Sequence, residues 1–377
     1  MRELNGRRIV VLMIDGFGID YFERSAMPNL GEMARSGLYK PGCGIFPSLT
    51  NANNISIACG CWPDEHGVTT NSYFDEGTGR AEFLEDASFL CAPTIFERAR
   101  SRGIRSALLT CKAKTTKILG GGLELAVAAE EPADEVVRRF GPPPGMYSTG
   151  VNFWLCEVAR WILSEQPHIG LVYVHTTDFP MHMWPPEDPE SLIHLSGLDD
   201  CIGRLRAAAP DALFLLTADH GMNYKTRCWD LAKACANRGL KLKFAVSPIA
   251  DRLIKHHRGF GGVSYVYLDH PGQAERASKI IADLEGVEEV LPREIAAARF
   301  RLMPARIGDL VVLPDADTVF GDLPTEDEQL GTDYRSHGSL YEMDVPLVYF
   351  DPRGDYPDPA RIRHNLDLTR VLFHPAG

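Results

Sequence analysis

Short apolar runs recur along the chain and alternate with stretches in which apolar side chains return every three or four positions. Arg8–Ile14, Arg105–Thr110, Ile169–His175 and Leu213–Ala218 are runs of the first kind. Rich in Ile, Val and Leu, they read as strands buried on both faces. Pro93–Arg102 and Val151–Glu165 are of the second kind. In the latter, Val151, Trp154, Leu155, Val158, Trp161 and Ile162 share one helical face, as a stripe turned to a core would. Strands alternating with helices predict an α/β fold built on a wound, mostly parallel sheet flanked by helices. Right-handed crossovers bring the strand C-termini to one edge, where such folds hold their ligands.

After Gly221 the pattern changes. Lys241–Val246, Ser264–Leu268 and Asp309–Leu313 read as short strands, with a helix over Gln273–Leu284 between two of them. A smaller α+β cap over 222–330 is expected, inserted into a catalytic core formed by 1–221 and 331–377. Val345–Phe350 would add a last core strand. The Pro-rich stretches Gly141–Gly145 and Trp184–Pro189 read as loops.

Composition narrows the function classes. A length of 377 residues exceeds the usual single domain, which suits a core with an insertion. The formal net charge of -12 lacks the basic footprint of a nucleic-acid surface, so no nucleic-acid partner is expected. Bound divalent ions would offset that charge locally, so an anionic substrate stays compatible with it. No run is long enough to span a membrane and no signal-peptide pattern opens the chain, so a cytoplasmic protein without a membrane partner is expected. The nine cysteines contain no CxxC pair, which indicates neither a zinc ribbon nor a disulfide framework. A homodimer is compatible with the sequence.

The chemistry gathers at the strand tips. Asp15 follows the first apolar run, Asp178 and His182 follow the third, and Asp219-His220-Gly221 ends the fourth. His337 stands before a glycine far downstream. Carboxylate and imidazole side chains in this number suit two divalent metal ions, zinc first, with manganese or iron as alternatives. Asp178 and His182 lie one helical turn apart and can face one ion if a short helix begins there. Asp219 and His220 point apart if extended; they serve one ion after a turn, or two neighbouring ions. Gly221 would let the chain turn away.

Two further segments bear on reactivity. Phe46-Pro47-Ser48-Leu49-Thr50-Asn51-Ala52-Asn53-Asn54 precedes a helical-looking Ile55–Gly60. Thr50 there is either a helix cap or, beside a metal ion, an activated hydroxyl nucleophile. Thr110-Cys111-Lys112-Ala113-Lys114 follows another strand, so two lysines emerge near the active edge; the bland alternative is a solvated basic turn.

Together, Asp15-Gly16, Pro47-Ser48-Leu49-Thr50, Asp178-x-x-x-His182, Asp219-His220-Gly221 and His337-Gly338 resemble the alkaline phosphatase superfamily. Glu65-His66-Gly67-Val68 and the Thr50 segment resemble its nucleotide pyrophosphatase/phosphodiesterase branch and the phosphonoacetate hydrolases within it. The resemblance implies one ion held by Asp178, His182 and His337, and another by Asp15, Asp219, His220 and the Thr50 oxygen. It implies Thr50 as the nucleophile and Asn71 as an amide that holds a phosphoryl oxygen. Lys112 and Lys114 resemble lysines that receive a substrate carboxylate, and Lys255-His256-His257 adds a weaker likeness. The implied activity is hydrolysis of a small anionic phosphonate, phosphonoacetate first, through a phosphothreonine. A phosphodiesterase or nucleotide pyrophosphatase acting on a phosphoester is the alternative, and a non-catalytic metal-binding module is the second.

Overall fold

The computed structural model describes residues 7–251, 255 and 258–373. Its centre is a seven-stranded sheet in the order Leu38–Cys43, Asp344–Phe350, Leu213–Thr217, Ile9–Met13, Ile169–His175, Arg105–Thr110, Leu125–Ala128. All but one of the strands run parallel; Asp344–Phe350 is antiparallel to both its neighbours. Ile9–Met13 and Leu213–Thr217 are buried at every position, because helices cover both faces and leave no face for polar side chains. The Gly150–Glu165 helix packs on the sheet through Val151, Trp154, Leu155, Val158 and Ile162, while Trp161 is half-buried. This is the wound, mostly parallel α/β architecture.

Register carries the strand tips to one place. Met13 lies opposite both His175 and Thr217, and Thr110 lies opposite His175. The residues that follow (Asp15, Thr176 to Asp178, Asp219 and Lys112) therefore leave the sheet along one edge.

Residues 222–330 contribute other sheets. Phe244–Val246, Ser264–Tyr267, Leu310–Pro314 and Val287–Pro292 form an antiparallel four-stranded sheet in that order. Thr318–Phe320, Arg227–Trp229 and Asp327–Gln329 form a second, three-stranded one. Asn223–Tyr224 pairs with Arg335–Ser336 where the chain leaves and re-enters the core. Val246, Ile249, Val263 and Val311 of this region pack in one apolar cluster with Phe46 and Leu49, so both sides of the Thr50 segment rest on packed structure. All nine cysteines are free thiols. Among the described residues no helix is long and apolar enough to cross a membrane.

Several elements differ from the sequence reading. The helix expected from Ile55 begins at Thr50 and runs to Cys59, ending on Gly60 in a left-handed conformation. A 20-residue helix, Pro189–Ala208, follows the predicted loop, with the Asp188 side chain capping it by accepting from the Glu190 N–H and Pro189 in its first turn. Gly221 does not turn the chain through a left-handed conformation. Its Cα packs closely against Gly18 instead; a Cβ there would lie 3.3 Å from the Gly18 Cα.

Candidate metal centre

Asp15, Asp178, His182, Asp219, His220 and His337 are all buried at the sheet edge. Gly16 lets the first of them approach the third strand: its φ is +73°, and a Cβ would lie 3.1 Å from that of Asp178. Asp178 stands at the start of a short helix, Phe179–Met183, and that turn brings His182 back over it, with Nε2 3.0 Å from Asp178 Oδ2. His337 Nε2 is 3.9 Å from the same oxygen.

The three histidines share one arrangement. Nδ1 of His182 meets the Arg335 carbonyl at 3.1 Å, Nδ1 of His220 meets the Gly221 carbonyl at 2.8 Å, and Nδ1 of His337 meets the Ser48 carbonyl at 2.7 Å. A carbonyl only accepts, so each Nδ1 carries the hydrogen and each ring turns Nε2, the nitrogen free to ligate a metal, inward. His220 Nε2 then faces Asp15 Oδ1 at 3.5 Å and Asp219 Oδ2 at 3.2 Å. Both oxygens are buried and accept no hydrogen bond among the described residues. A cation between Nε2 and these oxygens would satisfy all of them at once. The His220 and His337 rings stack with centroids 3.5 Å apart, which keeps both Nε2 atoms in the same small volume.

Burial, Asp178 and Asp219 push the Asp15 carboxyl well above the usual carboxylate range. Burial and the two neighbouring imidazoles hold His337 well below the usual histidine range, which keeps it neutral. The donor set therefore fits divalent ions: imidazoles fixed through Nδ1, crowded carboxylates and buried oxygens without donors. Asp178, His182 and His337 offer ligand atoms within 4.8 Å of one another, and so do Asp15, Asp178 and His220. Asp178 thus belongs to both groups. Asp219 reaches the second through His220, since its Oδ1 is already taken by the N–H groups of Gly16 and His220.

Thr50 is the first residue of its helix, Leu49 is the cap, and no side-chain capping bond is made. Thr50 Oγ1 lies 3.3 Å from His220 Nε2. The capping reading of Thr50 is therefore wrong, and its hydroxyl is turned to the ligand cluster. Asn71 meets the same helix start: its Oδ1 accepts the Asn51 N–H at 3.2 Å, and its Nδ2 donates to the Ile249 carbonyl at 3.1 Å. That fixes the amide orientation and leaves a second Nδ2 hydrogen.

The two lysines differ. Lys112 is half-buried; burial works against its charge, but Asp178, Asp15 and Asp219 hold the ammonium above the ordinary lysine range. Lys114 is nearly buried and forms an ion pair with Asp251. His256 and His257 lie outside the described residues.

Other residues around the centre hold the ligands and the Thr50 segment in place. His175 Nε2 lies 3.2 Å from Asp15 Oδ2, and its Nδ1 meets Asn54 and Thr110, so it steadies the first carboxylate. Its place at a strand end marks it in the sequence. Asn53, buried, donates to the carbonyls of Ile45, Pro47 and Leu49 and so shapes the loop before Thr50. His66 Nε2 meets Ser56 Oγ at 2.8 Å and its Nδ1 accepts the Val68 N–H, joining the Thr50 helix to the Asn71 segment. A cleft of about 360 Å³ opens beside His182, lined also by Arg258, Tyr334 and Arg335. Another, of about 240 Å³, lies beside the Asn71 segment, between Thr70, Tyr73, Phe74, Phe89 and Tyr267.

Residues 9–340 match the profile of the type I phosphodiesterase/nucleotide pyrophosphatase family. The chain belongs to this family. It lies in the alkaline phosphatase superfamily, as the ordered motifs implied. The bis(5'-adenosyl)-triphosphatase enpp4 of Mus musculus is 26% identical over 262 residues, which is 66% of this chain and 54% of that protein. The chain spans about half the length of the curated relatives it matches, 44% of one and 54% of another. Among solved structures, phosphonoacetate hydrolase of Sinorhizobium meliloti 1021 in complex with phosphonoacetate is similar with a TM-score of 0.87 and 28% identity, covering 97% of this chain and 94% of that one. Murine ectonucleotide pyrophosphatase/phosphodiesterase 5 shares the fold, with a TM-score of 0.71 and 18% identity over 98% of this chain and 94% of that one.

Proposed function

We propose that this chain is a two-metal hydrolase of a small phosphonate, phosphonoacetate first, which it converts to acetate and phosphate. The observation that carries this reading is the place of Lys112 and Lys114. They stand at the tip of the Arg105–Thr110 strand, and Lys112 feels the carboxylates of the metal cluster directly. The likeness to a phosphonoacetate hydrolase over nearly the whole of both chains supports it.

Asp178, His182 and His337 would hold one divalent ion, and Asp15, Asp219, His220 and the Thr50 oxygen the other. When bound, the ions supply positive charge that lowers the hydroxyl pKa of Thr50 and stabilises charge on the phosphoryl group. Thr50 Oγ1 forms the new bond to phosphorus as the carbon–phosphorus bond breaks. The electron pair of that bond goes to the leaving acetate carbanion and spreads onto its carboxylate as an enolate, which then takes a proton. Lys112, with Lys114 beside it, faces the carboxylate as this charge develops. Asn71 presents its remaining N–H to a phosphoryl oxygen. Water then cleaves the phosphothreonine, releasing phosphate and restoring Thr50.

A second reading has an observation of its own. The cavity walled by Tyr73, Phe74, Phe89 and Tyr267 beside Asn71 offers aromatic faces of the kind that suit a nucleoside, as a phosphodiesterase or nucleotide pyrophosphatase needs. Zinc-loaded protein assayed in parallel against phosphonoacetate, a nucleoside phosphodiester and a phosphomonoester separates the two. Release of acetate and phosphate with the highest kcat/KM supports the phosphonate reading; preference for the diester replaces it with the second.

A further inference from the structure

One buried guanidinium ties together the segments that carry the metal ligands. Arg335 is only 4% exposed and stands two residues before His337, in the short strand that pairs with Asn223–Tyr224. Its Nε donates to the Met181 carbonyl at 3.0 Å, and its Nη2 to the Tyr21 hydroxyl at 2.9 Å and the Met222 carbonyl at 3.3 Å. The Tyr21 hydroxyl in turn donates to the Trp184 carbonyl at 2.6 Å. The main-chain carbonyl of Arg335 takes the His182 Nδ1 hydrogen at 3.1 Å.

The helix that carries His182, Phe179–Met183, has five residues. A helix so short is not stable alone, and the carbonyls at its C-terminal end find no partner within it. Arg335 and Tyr21 supply those partners, so the turn that brings His182 over Asp178 is held from outside. A planar fork of fixed donors suits several acceptors in different directions, a geometry that an ammonium on a flexible stem does not hold. Only the Met222 contact lies near the other ligand group. There Asp219 accepts from the N–H groups of Gly16 and His220, and the His220 ring is fixed by the Gly221 carbonyl.

We propose that Arg335 is a positioning residue for the metal centre: it keeps Asp178, His182 and His337 in place for one ion, while the ligands of the other ion hold their arrangement without it. It makes no bond to the ion and acts through His182 and His337. This rests on the two-ion reading of the cluster and is independent of the substrate.

The test is a titration of metal-free protein with Co(II) against a competing chelator, followed by the visible absorption of each bound ion. His182→Ala identifies the binding step that belongs to its ion. In Arg335→Lys the affinity of that step is expected to fall by roughly 10- to 100-fold, the scale on which groups behind a metal ligand act, while the other step keeps its midpoint. The absorption band of the weakened step should also shift, because His182 no longer meets the ion at a fixed angle. Where Arg335→Lys does not fold, Tyr21→Phe removes a single hydroxyl from the same set of contacts and should weaken the same step, by less. Equal losses in both steps would make Arg335 a general support of the fold, and no loss in either would leave it without a role at the centre; both overturn the proposal. Uptake of fewer than two ions by the parent protein sinks the two-ion reading, and this inference with it.

Discussion

The two ends of the sheet edge that carries the candidate site are built on opposite principles. At the metal end, carboxylates and imidazoles come from strand tips in adjacent register. Each histidine is fixed by a backbone carbonyl, and the site keeps buried oxygens that nothing in the described chain satisfies. At the lysine end, Lys114 is already paired with Asp251 and Asn71 is already held by Ile249. One end demands charge from outside the chain; the other is largely closed on itself. Rigid, unsatisfied ligands favour strong binding of an ion, whereas side chains already held by partners are fixed in place before anything binds.

The metal end should give the largest effects. Thr50→Ala is expected to lower turnover by at least about 10³-fold, the scale seen when a nucleophile is removed. Since Thr50 is not the cap, its melting temperature and metal content should stay near those of the parent, well short of the ~1 kcal/mol that loss of a cap costs. Near-normal turnover in this variant would mean that water attacks directly. Elemental analysis should find about two divalent ions per chain, and chelation should abolish activity while lowering the melting temperature, because the crowded carboxylates then repel one another. Full activity in a thoroughly metal-free sample would remove the basis of the comparison.

At the other end, the two lysines should separate. Lys112→Ala should cut kcat/KM for phosphonoacetate at least tenfold, on the scale of a charge-assisted hydrogen bond worth roughly 1.5–3 kcal/mol, with a smaller loss on a nitrophenyl phosphodiester. Lys114→Ala should also lose at least tenfold on phosphonoacetate, but it should in addition destabilise the fold, because it removes a buried charge partner of Asp251. Denaturant unfolding checks this, and adding Asp251→Ala should recover most of the loss. If Lys114→Ala is as stable as its parent, the lysine end is not self-neutralised.

The smallest effect concerns the tie between the ends. Burial first, and then the nearby Arg306 charge, push His66 down to about 3. The folded protein thus binds fewer protons at this site than the unfolded chain, whose histidine titrates near 6.5. The contribution of His66 is fully present above pH 6.5 and is lost as pH falls from there towards about 3. His66→Gln should flatten the melting-temperature profile over that window, and an unchanged slope would assign the acid sensitivity to other groups.

Legibility in the sequence followed the same divide. Arg105–Thr110 and Ile169–His175 have the bounds their apolar runs predict, because a strand buried on both faces leaves no other pattern. The edge strands Leu38–Cys43 and Leu125–Ala128 were missed; the first contains Pro41 and Gly42, and the second is only four residues long. The start of the Thr50 helix was hidden because all ten of its residues are buried, so Thr-Asn-Ala-Asn-Asn gives no amphipathic signal. Ligands at strand tips could be found by looking at the ends of apolar runs. Asp251 could not, since nothing local in the sequence marks a partner 137 residues from Lys114.

The one antiparallel strand of the central sheet has a consequence for how the molecule is made. Asp344–Phe350 lies between Leu38–Cys43 and Leu213–Thr217, so an early segment reaches the sheet only through a late one. At ribosomal speeds of roughly 5–20 residues per second, Leu38–Cys43 waits on the order of 15–60 s for its neighbour to be synthesised. During that interval it is an unpaired strand, and Pro41 removes one N–H from the row that a foreign chain could zip onto. The partner position is also a proline, Pro346, so at that one of the six residue pairs neither chain can donate. His337 precedes that strand by only a few residues, so the ligand cluster is completed at about the same time as the sheet.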